Sequence, residues 1–166
     1  MDPIVIFDEK EKDLQHGLDH FNNAFLFFRY EGTAFKLKNA QSLRKATTHI
    51  ARILENHRKL QEQITFPFLD AHFPKHEAVI HLLRRDHVSL SKTIQTLQEL
   101  LKKFEKTPAN IRGETAIHKL GIHIACLLRY HIALERKSIR SAKRELKRGE
   151  KRELADRIAR VLKLLL

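Results

Sequence analysis

Two histidines in this chain have a polar partner four residues on: His57 with Gln61, and His131 with Glu135. Residues four apart stand one above the other on a single helix face. His131 and Glu135 can therefore present a ring nitrogen and a carboxylate to one point. Iron, manganese and zinc accept that mixture of donors. Two further histidines follow an aspartate, in Asp19-His20 and Asp86-His87. The order repeats: Asp-His, then a histidine with a four-spaced partner, over 19–61 and again over 86–135. The Asp-His pairs are 67 residues apart, and His57 and His131 are 74 apart. A pseudo-twofold bundle would bring one histidine from each of four helices to the same level. That is a geometry for two metals.

Helices must position these groups, and helices are what the rest of the sequence predicts. Asp8-Glu9-Lys10-Glu11 has the form of a capping box. Leu14, Leu18, Phe21, Phe25 and Phe28 then recur at three- and four-residue steps, the period of a buried helical stripe. A first helix is expected over 9–31, ended by Gly32. A second follows Asn39–Ser42 through Leu43, Ala46, Ile50, Leu54, Leu60 and Ile64 to about Phe68, with Pro67 kinking or closing it. A third spans about 75–105 and a fourth about 114–147, parted by the loop 107–113. Gly149 separates a last helix at about 151–165. Five glycines, four prolines and no tryptophan argue against a turn-rich β fold. The expected architecture is all-α: an up-down-up-down four-helix bundle over 1–148, with a C-terminal helical appendage over 149–166.

With these motifs in place the chain resembles the hemerythrin-like, or HHE cation-binding, family over about residues 9–145. The stretches that carry the likeness are Leu18-Asp19-His20-Phe21, His57 through Pro67, Arg85-Asp86-His87, and Tyr130 through Arg136. Phe66-Pro67, nine and ten residues after His57, is a step this family commonly shows. The resemblance implies a four-helix bundle around a non-haem iron centre, and it maps His20, His57, His87, His131 and Glu135 onto ligand positions. It further implies a protein that binds or senses O2 or NO, or handles iron, with di-iron redox activity within the family's range.

This chain departs from the family pattern at residue 61, where a bridging glutamate becomes Gln61. An amide offers one neutral oxygen in place of two anionic ones, so a bridge between two cations is lost or weakened. Glu62 stands next door, turned by about 100° on a regular helix, and only a local bulge would bring it in. The Phe-Pro step has no counterpart after His131, where Arg140-Ser141 stands instead. Residues 83 and 91 are Leu and Ser, so the extra histidine of oxygen-carrying hemerythrins is missing from the third helix. Two irons are implied if the site is complete, and one metal or none if Gln61 disables it. The competing reading is a metal-free bundle with neutral imidazoles buried against Gln61, Glu135, Asp19 and Asp86.

Other chemically active residues read as supporting cast. His16, His49 and His123 suit the surroundings of a site or a bundle end, and His72, His76, His81 and His118 suit loops or solvated positions. Asp19 and Asp86 are expected to face solvent or cap neighbours. Tyr30, Tyr130, Phe21, Phe25, Phe27 and Phe28 read as core, and Cys126 as an inert buried thiol. No Ser/His/Asp or Cys/His nucleophile and no phosphate-cradling loop is present, which favours a binding or sensing protein over an enzyme.

The net charge is +12, and residues 140–163 carry ten basic and four acidic side chains, half of that excess. There the charges interleave with Leu154, Ile158, Val161, Leu162 and Leu165. Such a helix can touch an anionic membrane, an acidic partner or a second copy over 150–166, or pack back on its own bundle. Glu145, Glu150 and Glu153 interrupt the basic field and favour packing. No nucleic-acid-reading motif accompanies it. The start of the chain lacks the basic and apolar regions of a secretory leader, and no run of 18 apolar residues occurs. A cytoplasmic protein is expected.

Overall fold

A computed structural model describes residues 3–108 and 110–165, and the chain is all-α. The side chains of Asp8, Val161, Leu162 and Leu165, assigned above to a capping box and to the last apolar stripe, lie outside the described ones. The elements are α1 (Pro3–Tyr30), α2 (Lys36–Leu60), a π-helical turn (Gln61–Thr65), α3 (Phe66–His72), α4 (Glu77–Phe104), α5 (Ile111–Glu145) and α6 (Arg148–Leu165), with single 3₁₀ turns at Thr33–Phe35 and Pro74–His76. The first helix starts five residues before the expected capping box, with a proline in its first turn, where a missing N–H is harmless. Glu11 serves instead as a tie between helices, accepting from Nε of Arg136 at 2.6 Å.

α1, α2, α4 and α5 close into a ring in which every neighbour is antiparallel. Glu11 meets Arg136 while Phe25 packs on His118. Gly17 abuts Ile50 while Asn39 bonds Glu31. Arg44 meets Glu105 while Glu62 meets His87. Asp86 meets His131 while Phe104 lies near Gly113. Two glycines let α1 come close: a Cβ on Gly17 would stand 2.6 Å from Ile50 Cδ1, and one on Gly121 would collide with the Phe25 ring.

Helices on opposite corners run parallel, and their register is readable from side chains. Lys36 pairs with Glu114 and His57 with Glu135, each pair 78 residues apart. On the other diagonal Phe28 packs edge-on against Phe104, 76 residues away. Neither offset equals the repeat seen in the sequence.

The interior falls into two apolar clusters. The larger contains Leu14, Phe21, Phe28, Ile50, Leu97, Phe104, Ile117 and Leu128. The smaller contains Leu60, Ile64, Phe66, Phe68, Leu83, Leu146 and, from α6, Leu154 and Ile158. Leu154 and Ile158 of α6 are thus buried on the bundle, with Arg157 over the Phe68 ring and His72 within 3.8 Å of Glu153. Phe21, Phe25 and Phe28 are core, whereas Phe27, Tyr30 and Tyr130 are exposed, contrary to expectation. Tyr30 and Phe27 are off the three-and-four stripe, so helix phase decides against them. Cys126 is exposed as well. Among the described residues no helix is long and apolar enough to cross a membrane.

Candidate metal centre

Between the two apolar clusters lies a polar layer: His57, Gln61, His87, His131 and Glu135 are all at least 97% buried. Helix period explains three of them directly, since His57 follows Leu54, His87 lies between Leu83 and Leu90, and His131 follows Leu128. His57, His87 and His131 each offer a ring nitrogen, and the donor atoms lie within 4.8 Å of one another. Nε2 of His57 donates to Oε2 of Glu135 at 2.9 Å, and Nε2 of His131 lies 4.0 Å from that same oxygen. Glu135 therefore sits between two histidines, as the four-residue spacing anticipated for one of them.

Burial without compensating bonds marks this layer as built for something. Nδ1 of His57, Nε2 of His87, both ring nitrogens of His131, both amide atoms of Gln61 and Oδ2 of Asp86 have no hydrogen-bond partner. An orphaned buried polar group costs about 1–3 kcal/mol, and native interiors carry few of them. Burial also drives the charged form out of the imidazoles. His87 is pushed down to about 3, with the neighbouring His57 and Arg58 adding to the effect. His131 is pushed down to about 3 against the pull of Glu135. Burial by itself would raise Glu135, but His57 and His131 outweigh it and hold the carboxyl below its usual range. At neutral pH His87 and His131 thus offer bare imidazole nitrogens, and Glu135 a carboxylate, the protonation states a cation needs.

The donors fit a cation with little adjustment. Donors about 2.1 Å from a common ion can stand no more than about 4.2 Å apart, so a 4.8 Å spread closes with small side-chain shifts. Three imidazoles and a carboxylate suit iron, zinc and other borderline first-row ions.

The structure does not bring His20 to this layer. Its side chain is exposed on α1 and stands edge-on to His49, ring centroids 6.0 Å apart. The reason is register. The sequence repeat of 67 would set residue 20 opposite His87, but the packing offset of 76 sets residue 11 there. Nine residues of helix are about 13 Å, more than any side chain spans. The expected meeting of four histidines at one level is thereby corrected to three. His16, His49 and His123 are exposed, although His16 and His49 line a groove of about 340 Å³ with Lys10, Asp13, Asn56 and His57.

Two carboxylates arrive that a regular-helix reading leaves outside. Asp86 is buried, with Oδ2 3.8 Å from Nδ1 of His131, and burial raises its carboxyl against the opposing pull of Arg85. Its signal was present: Leu83, Asp86, His87 and Leu90 form one three-and-four stripe. Glu62 arrives with a distortion. Phe66 N–H bonds to Gln61 O, five residues back, and Thr65 Oγ1 donates to Leu60 O at 3.4 Å. Pro67 has no N–H to return to Gln63 and its ring opposes a regular turn there, so the helix widens just before it. Gln61 stays inside while Oε1 of Glu62 accepts from Nδ1 of His87 at 2.9 Å. Phe66, the other half of the Phe-Pro step, stacks on the His87 ring at 5.9 Å. His76 is buried and His118 half-buried between Phe25 and Phe28, neither in the layer.

A buried layer of three histidines with the carboxylates of Glu135 and Asp86, inside an antiparallel helical bundle, is a cluster that could hold a cation. The chain belongs to the family described as the hemerythrin HHE cation binding domain, whose model matches residues 19–142. No curated protein and no solved structure matches it.

Proposed function

We propose that this protein holds a single iron ion through His57, His87, His131 and Glu135 and presents it to a small gaseous ligand, O2 or NO. One observation carries the reading: three buried histidines bring ring nitrogens within 4.8 Å of one another, and two of them, His57 and His131, flank the buried carboxylate of Glu135. A single ion is favoured over two because one half of a two-metal site is missing. Residue 61 is an amide, and α1 supplies Leu14 near this level, with Asp13 already paired to Lys10. Iron held by three imidazoles and a carboxylate would supply a Lewis-acid and redox centre able to take a small gaseous ligand. The protein's own share is to exclude water with the two apolar clusters, keep His87 and His131 neutral, and hold Glu135 ionised between His57 and His131.

Anaerobic Fe(II) titration of metal-free protein, followed by exposure to NO, tests this. Saturation at one iron per chain with an iron–nitrosyl paramagnetic signal is expected, and His131→Ala should lose both. Uptake far below one per chain would overturn the metal reading. Two irons with an oxo-bridge absorption band would overturn the single-ion reading.

A further inference from the structure

We infer that Glu62 is a positioning residue: it holds His87 as the Nδ1–H tautomer, so that the bare Nε2 is the donor turned to the cation. This deepens the single-ion reading and rests on it. A carboxylate only accepts, so the 2.9 Å contact between Glu62 Oε1 and His87 Nδ1 requires the proton on Nδ1. The other ring nitrogen, Nε2, is buried and has no hydrogen-bond partner. The neutral histidine side chain in water prefers the proton on Nε2, so a protein that needs Nε2 bare has to supply an acceptor at Nδ1.

Glu62 is itself held. Its Oε2 accepts from Nη1 of Arg58 at 2.9 Å, and Arg58 is gripped by Glu55 through two further bonds of 2.9 Å. Glu55, Arg58 and Glu62 follow one another at three- and four-residue steps, so one face running from α2 into the π-helical turn carries the whole clamp toward α4. Phe66 covers the ring from the side. Glu62 is half-buried at the rim while His87 is fully buried, so the carboxylate reaches inward from the edge rather than lying among the donors. The exchange at residues 61 and 62 acquires a physical sense: the interior position carries a neutral amide, and the acid acts through a histidine. Hydrogen-bond partners of ligating histidines typically matter 10- to 100-fold in metal affinity.

Nitrogen-15 NMR of histidine-labelled, metal-free protein reads the tautomer directly, and Co(II) titration reads the affinity. The wild type should show His87 with its proton on Nδ1. Glu62→Leu should move it to Nε2 and weaken Co(II) binding roughly 10- to 100-fold. Glu62→Gln keeps an acceptor oxygen, so it should retain the Nδ1–H form and lose only a fraction of that affinity. A wild-type proton on Nε2 overturns the inference, as does an unchanged tautomer or unchanged affinity in Glu62→Leu. Equal affinity losses in Gln and Leu variants overturn it too, because they would make Glu62 a direct ligand. If Glu62→Leu does not fold, the wild-type tautomer and the Gln variant decide. A wild type that binds no metal yet shows the Nδ1–H form sinks the iron reading and leaves the hydrogen-bond assignment standing.

Discussion

The larger apolar cluster and the polar layer occupy the same bundle and answer to different demands. Around Phe28 and Phe104 the interior is apolar, closed by aromatic edges and by the Lys36–Glu114 pair at 2.5 Å. Further along α2, the interior holds imidazoles, an amide and a carboxylate, many of their polar atoms without partners. The first region gains stability from the apolar groups it buries. The second gives stability up for donors that could hold a cation.

Substitutions can break or sharpen that contrast. Phe28→Ala should destabilise the metal-free protein by about 3–5 kcal/mol through the cavity it leaves, yet leave metal stoichiometry intact. Guanidinium unfolding and metal analysis check both halves. Gln61→Glu would place a second carboxylate beside Glu135 with no cation to neutralise it. Its metal-free form should lose about 2–4 kcal/mol, and metal should restore more than it restores in the wild type, as melts with and without Fe(II) would show. An equal loss in both states would mean that residue 61 does not face the cation.

His131→Leu should act in the opposite direction. It removes two unpaired buried nitrogens, so the metal-free protein should gain about 1–3 kcal/mol while metal binding is lost. The same variant tests the pH response. His87 and His131 have folded values near 3 against an ordinary value of 6.5, so the unfolded chain binds more protons between those limits. Their contribution is therefore fully present above about pH 6.5 and drains away as the pH falls toward 3. His131→Leu should flatten that slope, and unfolding measured across pH 3–7 would reveal it. The smallest effect is expected far from the layer. The side chain of Asn110 accepts from Gly113 N–H at 3.1 Å and caps α5, so Asn110→Ala should cost about 0.5–2 kcal/mol and leave metal affinity unchanged.

Much of the layer was legible one helix at a time. His57, His87 and His131 follow their apolar stripes, and Glu135 follows His131 by one turn, so local periodicity suffices for all four. Asp86 was legible in the same way, but its dipeptide with His87 drew it toward solvent. His20 falls outside the layer because repetition along the chain does not fix equal height in the bundle. Glu62 stands one turn after Arg58 at the start of the widened turn before Pro67, and its contact with His87 depends on how α4 packs beside it, which spacing along one helix does not describe.

The sequence by itself determined an all-helical bundle and the donor types in its interior, because both follow from spacing within a single helix. The tertiary structure decided which donors meet. Register between helices is set by packing, at contacts such as Gly17 on Ile50 and Phe28 on Phe104, and one or two turns of slip carry a side chain out of reach. That is why His20 stands beside His49 while Glu62, from a turn no periodicity describes, holds His87.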